Sequence, residues 1–340
     1  MARVTNARSG LRMQSVPVSV VEVESTEPPT RWELVGDTDG DGCRWTLRLH
    51  GLALNMEPFA APVLDGVVRS FELAQPQEDL VECRIRLEWD QPPAGPPEVT
   101  TRGLPVVTRL CFGRDRLREK LGGWRVVVDP GHGGRDRGAR GPVNLEERHV
   151  TLQLAHRLAW HLEEGGCAVW CTRVDDRTVP LAQRLALAAS VGADVLVSLH
   201  TGRGTDPGEG GACTRYGQAG GWAPARHDPR ALALAVHQAL LERLGVRDRG
   251  VVELPWVAEQ PGQAGRPAPG QVGERAGFAW VWVEPVCLAN PYEEAFLRSC
   301  TFRDRIAQGI RNGLARAAAA GERGGGGTMA ARAARQYTCD

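Results

Sequence analysis

The sequence predicts an α/β fold, a mainly parallel twisted sheet with helices on both faces, preceded by a small antiparallel β domain. Three observations carry this expectation. From Trp124 onward, short apolar runs alternate with segments of helical period, the pattern of a layered sheet with crossover helices. Between Arg31 and Phe112, apolar and polar residues alternate at period two between turn-rich pieces, as in half-buried strands. The 340 residues also exceed what one compact core usually holds, so two domains with terminal tails are expected.

Taken in order, residues 1–30 are polar, lack a sustained period and end in Glu27, Pro28 and Pro29, so they read as a disordered leader. Runs at 44–49, 67–73, 80–89 and 106–112 supply the strands of a β-rich domain assigned to 31–118, with turns at 36–42 and 91–97. The Asp/Gly turn at 36–42 resembles a calcium loop but lacks the twelfth-position ligand and the flanking helices. The second domain, 124–318, opens with a buried strand at 125–129. A helix at 150–162 follows, closed by Gly165 and Gly166. A strand at 168–172, a helix at 181–189, a strand at 193–199, a helix at 230–244, a strand at 278–284 and a closing helix at 302–318 complete it. Residues 319–340, rich in Gly, Ala and Arg, read as a flexible tail.

Lys plus Arg and Asp plus Glu are equal at 41 each, so net charge gives no reason to expect nucleic acid or an anionic membrane as partner. No run approaches the roughly 18 apolar residues that span a bilayer. Residues 1–25 carry no apolar core of a secretory signal, so the chain as written is expected to start in the cytoplasm, with Met13 as an internal candidate start. The nine cysteines include no Cys-x-x-Cys pair, the closest being Cys167 and Cys171. They read as buried thiols rather than a disulfide framework or a cysteine metal site.

The residues that carry chemistry stand at strand ends. His132 lies in a glycine-rich turn directly after the strand at 125–129, and His200 directly after the strand at 193–199. Both would sit at the carboxyl edge of the sheet, where open α/β folds place their sites. Glu147 precedes the first helix, and the loop 135–145 is long enough to fold it back over that edge. Glu284 ends the strand at 278–284. Ionisable groups converging on one sheet edge are costly unless they bind something. Two histidines and one glutamate leave a fourth coordination position open, the arrangement of a hydrolytic rather than a structural zinc. His149, His156, His161, His227 and His237 read instead as surface or hydrogen-bonded residues.

With these motifs in place, residues 124–318 resemble the zinc-dependent N-acetylmuramoyl-L-alanine amidases of the amidase-3 type. The turn Asp129, Pro130, Gly131, His132, Gly133, Gly134 carries the resemblance, followed by Asp136, Gly138, Ala139 and Gly141. Glu147 and Arg148 stand for the family's Glu-Lys pair, then come Thr172, Arg173, Asp176, Leu181, Arg184, Ala193, Asp194, Ser198, Leu199 and His200. Near the end, Val283 and Glu284 precede Asn290, Pro291, Glu293 and Glu294, which resemble the family's catalytic glutamate and its Asn-Pro-x-Glu helix start. The resemblance implies that His132, Glu147 and His200 hold one Zn2+ and that Glu284 is the catalytic acid/base. It implies a peptidoglycan substrate, cleaved between N-acetylmuramic acid and L-alanine, and an extracellular or cell-wall location that the leader does not provide for; a monomer or loosely associated state is expected. The β domain faintly resembles the AMIN-type modules that precede such amidases, which implies a cell-wall targeting role; a generic β domain and an inhibitory cover are equal readings of the same strand pattern.

The pattern departs from the family at three places: Gly202 stands where Asn is usual, Pro285, Val286 and Cys287 replace the usual x-Gly-Phe, and Ala189 replaces an Asn. A catalytically weak peptidoglycan-binding protein and a metallohydrolase of another small amide or peptide are the alternative readings. Trp222, Trp256, Trp280 and Trp282 are candidates for stacking on sugars, although Trp280 and Trp282 alternate on a buried strand and read better as core.

Overall fold

The computed structural model describes residues 2–13, 17–39, 42–89, 95–202, 208–219, 226–254, 277–323 and 335–339. Trp222 and Trp256 lie outside the described residues. The chain divides into two compact units, residues 1–119 with 326–340, and residues 120–325.

The first unit contains β1 (Ala2–Met13), β2 (Pro17–Ser25), β3 (Arg31–Asp39), β4 (Gly42–His50), β5 (Leu52–Leu54), β6 (Phe59–Pro62), β7 (Val68–Gln77), β8 (Leu80–Leu87), β9 (Glu98–Arg102) and β10 (Val106–Phe112). Period two is visible in β4, where Cys43, Trp45, Leu47 and Leu49 are buried and the residues between them are not. One sheet runs β5-β1-β2-β10-β9, and β3-β4-β8-β7-β6 are neighbours in the other. Val4, Val21, Val23 and Leu110 of the first sheet share one core with Leu34, Trp45, Leu47, Phe71 and Ile85 of the second, so the two sheets form a sandwich.

The expected disordered leader is corrected by β1 and β2. Val18, Val20, Val21 and Val23 are buried because β2 is an inner strand, paired with β1 on one side and β10 on the other. The polar residues that disguised it are paired across strands. Glu22 accepts from Arg8 Nε at 2.8 Å and from Arg109 Nε at 2.6 Å.

The second unit opens with α1 (Asp115–Leu121), which crosses the boundary, and continues through β11 (Arg125–Pro130), α2 (Glu147–Glu164), β12 (Ala168–Cys171), α3 (Leu181–Ser190), β13 (Val195–Leu199), β14 (Ala212–Ala219), α4 (Pro229–Leu244), β15 (Asp248–Glu253), β16 (Phe278–Glu284), α5 (Pro291–Arg298) and α6 (Cys300–Arg323). Its sheet has the order β12-β11-β13-β16-β14-β15. Every neighbouring pair is parallel except β14 and β16. Register places Val127, Leu196 and Trp280 in one cross-strand row, and this row packs on Leu185 and Ala188 of α3. The opposite side is covered by α2 and α4, with α6 against both. Helix ends follow local chemistry. Asp228 caps α4 through Arg230 N, Gly245 closes it in the left-handed region, and Asn290 caps α5 through Tyr292 N and Glu293 N.

The expected flexible tail is also corrected. Helix α6 continues to Arg323, and β17 (Arg335–Cys339) pairs antiparallel with β3, returning the chain to the first unit's second sheet. β17 extends the sheet at the edge that β3 offers, a role set by β3 and not by any local apolar run. Cys43, Cys83, Cys111, Cys167, Cys213 and Cys287 are buried free thiols, as read, whereas Cys171 is half-buried and Cys300 exposed. Burial pushes Cys83 and Cys167 up to about 12, which leaves them inert as nucleophiles.

Where α4 and α6 cross, a Cβ on Gly313 would lie 2.3 Å from Val236 Cα. That neighbour is backbone and cannot swing aside. Gly313→Ala is therefore expected to destabilise the protein by about 1–3 kcal/mol, despite its better helix propensity. Urea unfolding of the two proteins checks this, and equal midpoints would refute the close approach.

Candidate metal centre and its surroundings

Strands β11, β13 and β16 lie side by side and parallel, so their carboxyl ends open on one edge. His132 follows β11, His200 follows β13, Glu284 ends β16, and Glu147 is the first residue of α2. All four are buried, Glu147 completely.

Ligand atoms of His132, Glu147 and His200 lie within 4.8 Å of one another. Glu147 stands between the two imidazoles, with Oε2 3.1 Å from His132 Nε2 and Oε1 3.2 Å from His200 Nδ1. Backbone amides hold the carboxylate from behind: Ala139 N donates to Oε2 at 2.7 Å and Thr201 N to Oε1 at 2.9 Å. His132 Nδ1 is 2.8 Å from Asp136 Oδ2, which directs Nε2 at the cluster. Burial opposes the charge on Glu147, but the two histidines hold its carboxyl well below the usual range. Burial pushes His200 down, keeping it a neutral imidazole. For His132 burial is outweighed by Glu147 and Asp136, which raise it. The donor set of two imidazoles and one carboxylate suits a divalent transition metal, which competes with the proton on His132.

Glycines make the closeness feasible. Gly138, at φ +67, lies so near that a Cβ there would be 2.6 Å from both Glu147 Oε2 and His132 Cδ2. Gly131 lies flat on His200. His132 itself has φ 63, a left-handed conformation that a β-substituted residue adopts only when held.

Two buried guanidiniums do the holding. Arg184 donates to the carbonyls of Pro130 at 2.7 Å and His132 at 2.8 Å, and Arg173 to those of Pro130 at 3.0 Å and Gly131 at 2.9 Å. Arg184 is neutralised by Asp129, which also accepts from Thr172 Oγ1 at 2.6 Å and Ser198 Oγ at 2.5 Å. Burial works against the Asp129 charge, yet Arg184 and the two hydroxyls hold its carboxyl low. Burial lowers Arg173 to about 10.

Glu284 accepts from Trp282 Nε1 at 3.1 Å and has Arg215 Nε at 3.4 Å. Its position beside His200 follows from register: Val283 pairs with Leu199, and His200 N donates to Val283 O at 2.9 Å. The departures at Gly202 and at 285–287 meet here. Gly202 N donates to Val286 O at 2.8 Å, Leu288 N to Gly202 O at 3.2 Å, and a Cβ on Gly202 would be 3.3 Å from Cys287 Cα. The loop after His200 and the loop after Glu284 are thus joined by backbone.

Sequence reasoning did not assign the residues that pin these loops. Glu293 accepts from Cys287 N at 2.6 Å and Gly211 N at 2.7 Å, and Glu294 from Val143 N at 2.7 Å and Leu145 N at 2.9 Å. The Asn290-Pro291 helix start was legible through the family resemblance, but no role was assigned to the two acids after it. Trp280 is core, as read, but Trp282 belongs to the site, its indole stacked on His200. The histidines read as ordinary lie outside the cluster: His161 pairs with Asp304, His237 with Asp248 and Thr214, and His227 stacks on Trp124.

Residues 126–316 match the family model Amidase_3, N-acetylmuramoyl-L-alanine amidase. The chain belongs to this family. Among curated amidases of the family, it is 34% identical over 216 residues to N-acetylmuramoyl-L-alanine amidase AmiC of Neisseria meningitidis, covering 56% of this chain and 52% of that protein. It is 28% identical over 199 residues to N-acetylmuramoyl-L-alanine amidase LytC of Bacillus subtilis, covering 58% of this chain and 36% of that one. The chain thus spans about half or less of the length of these relatives. Among solved structures, the amidase AmiC2 of Nostoc punctiforme aligns with 57% of this chain and 96% of its own, at 26% identity and a TM-score of 0.47. No helix among the described residues is long and apolar enough to cross a membrane.

Asp129 carries an acid-dependence prediction. Its folded-state pKa is depressed, so its stabilising contribution is present above the unfolded value of about 3.9 and is lost as pH falls through the lower folded value. Asp129→Asn should be less stable than the wild type at neutral pH, because Arg184 is left buried without its counter-charge, with a difference of about 3–5 kcal/mol that narrows below about pH 4. Denaturant midpoints between pH 7 and pH 3 measure this, and a pH-independent difference would contradict it.

Proposed function

We propose that this protein is a zinc-dependent peptidoglycan hydrolase that cleaves the amide between the lactyl group of N-acetylmuramic acid and L-alanine of the stem peptide. The observation that carries this reading is the buried His132, Glu147 and His200 cluster with Glu284 at the end of the adjacent strand. Membership of the amidase family supports the same substrate class. His132, Glu147 and His200 would hold the zinc, whose role when bound is to polarise the amide carbonyl and acidify a water.

The remaining work falls to the chain's own groups. Glu284 accepts the proton of the attacking water and returns it to the departing amine of L-alanine. Arg215 and the Trp282 indole N–H fix one carboxylate oxygen of Glu284, leaving the other for the proton. Asp136 keeps the His132 Nδ1 proton in place, so that Nε2 remains the ligand. The products are a free stem peptide and a glycan strand bearing a lactyl carboxylate. The chain acts as a monomer on peptidoglycan outside the cytoplasmic membrane, since that is where its substrate lies.

The test is mass spectrometry of the soluble products released from isolated peptidoglycan by zinc-loaded protein, with Glu284→Ala alongside. Wild type should release peptides with a free L-alanine amino terminus, and the variant should be slower by about 10²–10⁴-fold with its zinc retained. Zinc-loaded wild type that releases no such peptide would overturn the proposal.

A further inference from the structure

The metal cluster and Glu284 touch the same side chain. The Trp282 indole lies flat on the His200 imidazole, with ring centroids 3.5 Å apart and planes within 4°. Its Nε1 donates to Glu284 Oε1 at 3.1 Å. The opposite face of the imidazole is closed by Gly131, where an added Cβ would sit 2.2 Å from His200 Cε1. His200 is therefore clamped between a glycine backbone and an aromatic plane, which blocks any tilt of the ring.

A tryptophan placed only to fill a core needs neither contact. Its neighbour Trp280 is such a residue: it is 1% exposed, packs under α3, and its Nε1 has no hydrogen-bond partner among the described residues. Trp282 lies two residues further along β16, level with Ser198 of β13 and Arg215 of β14, and only part of it is buried. Because the indole is one rigid bicycle, its stacking face and its N–H edge cannot move independently. The separation of His200 from the Glu284 carboxylate is then set by a single rigid object.

We propose that Trp282 is a positioning residue that holds the ligating edge of His200 and the carboxylate of Glu284 in one mutual geometry. The inference rests on the roles given to His200 and Glu284 in the proposed function. A displacement of about 1 Å between a base and its reacting water can cost about 10²-fold in rate, so a rigid spacer at this point has a direct catalytic consequence. The two contacts are also chemically separable. Phenylalanine keeps a flat ring against His200 but has no N–H, whereas leucine keeps neither.

The experiment compares Trp282→Phe and Trp282→Leu in the full chain, measuring zinc affinity by calorimetry without substrate, kcat and KM on soluble muropeptide, and thermal unfolding. Trp282→Phe is expected to bind zinc within about threefold of wild type, as its stack survives, and to lose about tenfold in kcat with KM within about twofold. Trp282→Leu is expected to lose about tenfold or more in zinc affinity as well, the scale seen when an outer partner of a ligating histidine is removed. Adding Trp282→Phe to Glu284→Ala should cost no further kcat, because the donor then has no carboxylate to place. Wild-type turnover by Trp282→Phe would overturn the inference. So would zinc affinity and thermal stability falling in step in both variants, the signature of a core residue. Should the wild type release no stem peptide, the proposed function fails by itself. The calorimetric contrast between Phe and Leu then still decides whether Trp282 holds His200.

Discussion

A fully buried carboxylate between two buried imidazoles is the interaction on which the second unit's architecture depends. Glu147 has no solvent to stabilise its charge, and two imidazole contacts and two backbone N–H bonds, shared between its two oxygens, stand in for that solvent. Keeping it ionised requires that His132 and His200 approach it from two different strands while α2 begins at Glu147 itself. The parallel arrangement of β11 and β13 meets this requirement by bringing both strand ends to the same edge. The glycines at 131 and 138 then remove the side chains that would keep the three groups apart.

Around this centre the structure spends its buried charges on backbone. Arg173 and Arg184 donate to the carbonyls of the His132 turn, and Glu293 and Glu294 accept from amides of three loops. Each satisfies polar groups that a loop folded over a sheet edge cannot pair with itself. The altered residues after His200 and Glu284 fit that scheme, because Gly202 and Cys287 lie against each other and the backbone bonds between them need no Asn side chain.

Much of the site was legible because its residues mark themselves in the sequence. His132 and His200 directly follow apolar runs, Glu147 directly precedes a helical period, and a strand end is where an α/β sheet exposes its chemistry. β11, β12, β13 and β16 were legible for the same reason, since buried parallel strands read as continuous apolar runs, whereas β14 and β15, on the far side of β16, were not read as strands. What escaped lacks a local signal. β1 and β2 carry arginines and glutamates whose pairing partners sit on other strands, and β17 is a strand only because β3 offers an edge. Trp282 looked like Trp280 because both alternate on β16, and only register with β13 separates the residue level with the sheet edge from the one beneath it. The loop-pinning role of Glu293 and Glu294 escaped because the amides they accept from are up to 151 residues away.

The proposed chemistry depends on the identity of the three ligands. X-ray absorption at the zinc edge of the purified, metal-loaded chain measures this directly. The proposed function predicts one zinc per chain with only nitrogen and oxygen neighbours at about 2.0–2.2 Å, and outer-shell scattering from two imidazoles that falls to one in His200→Ala. A sulfur shell at about 2.3 Å, or two-imidazole scattering unchanged by that substitution, would contradict it.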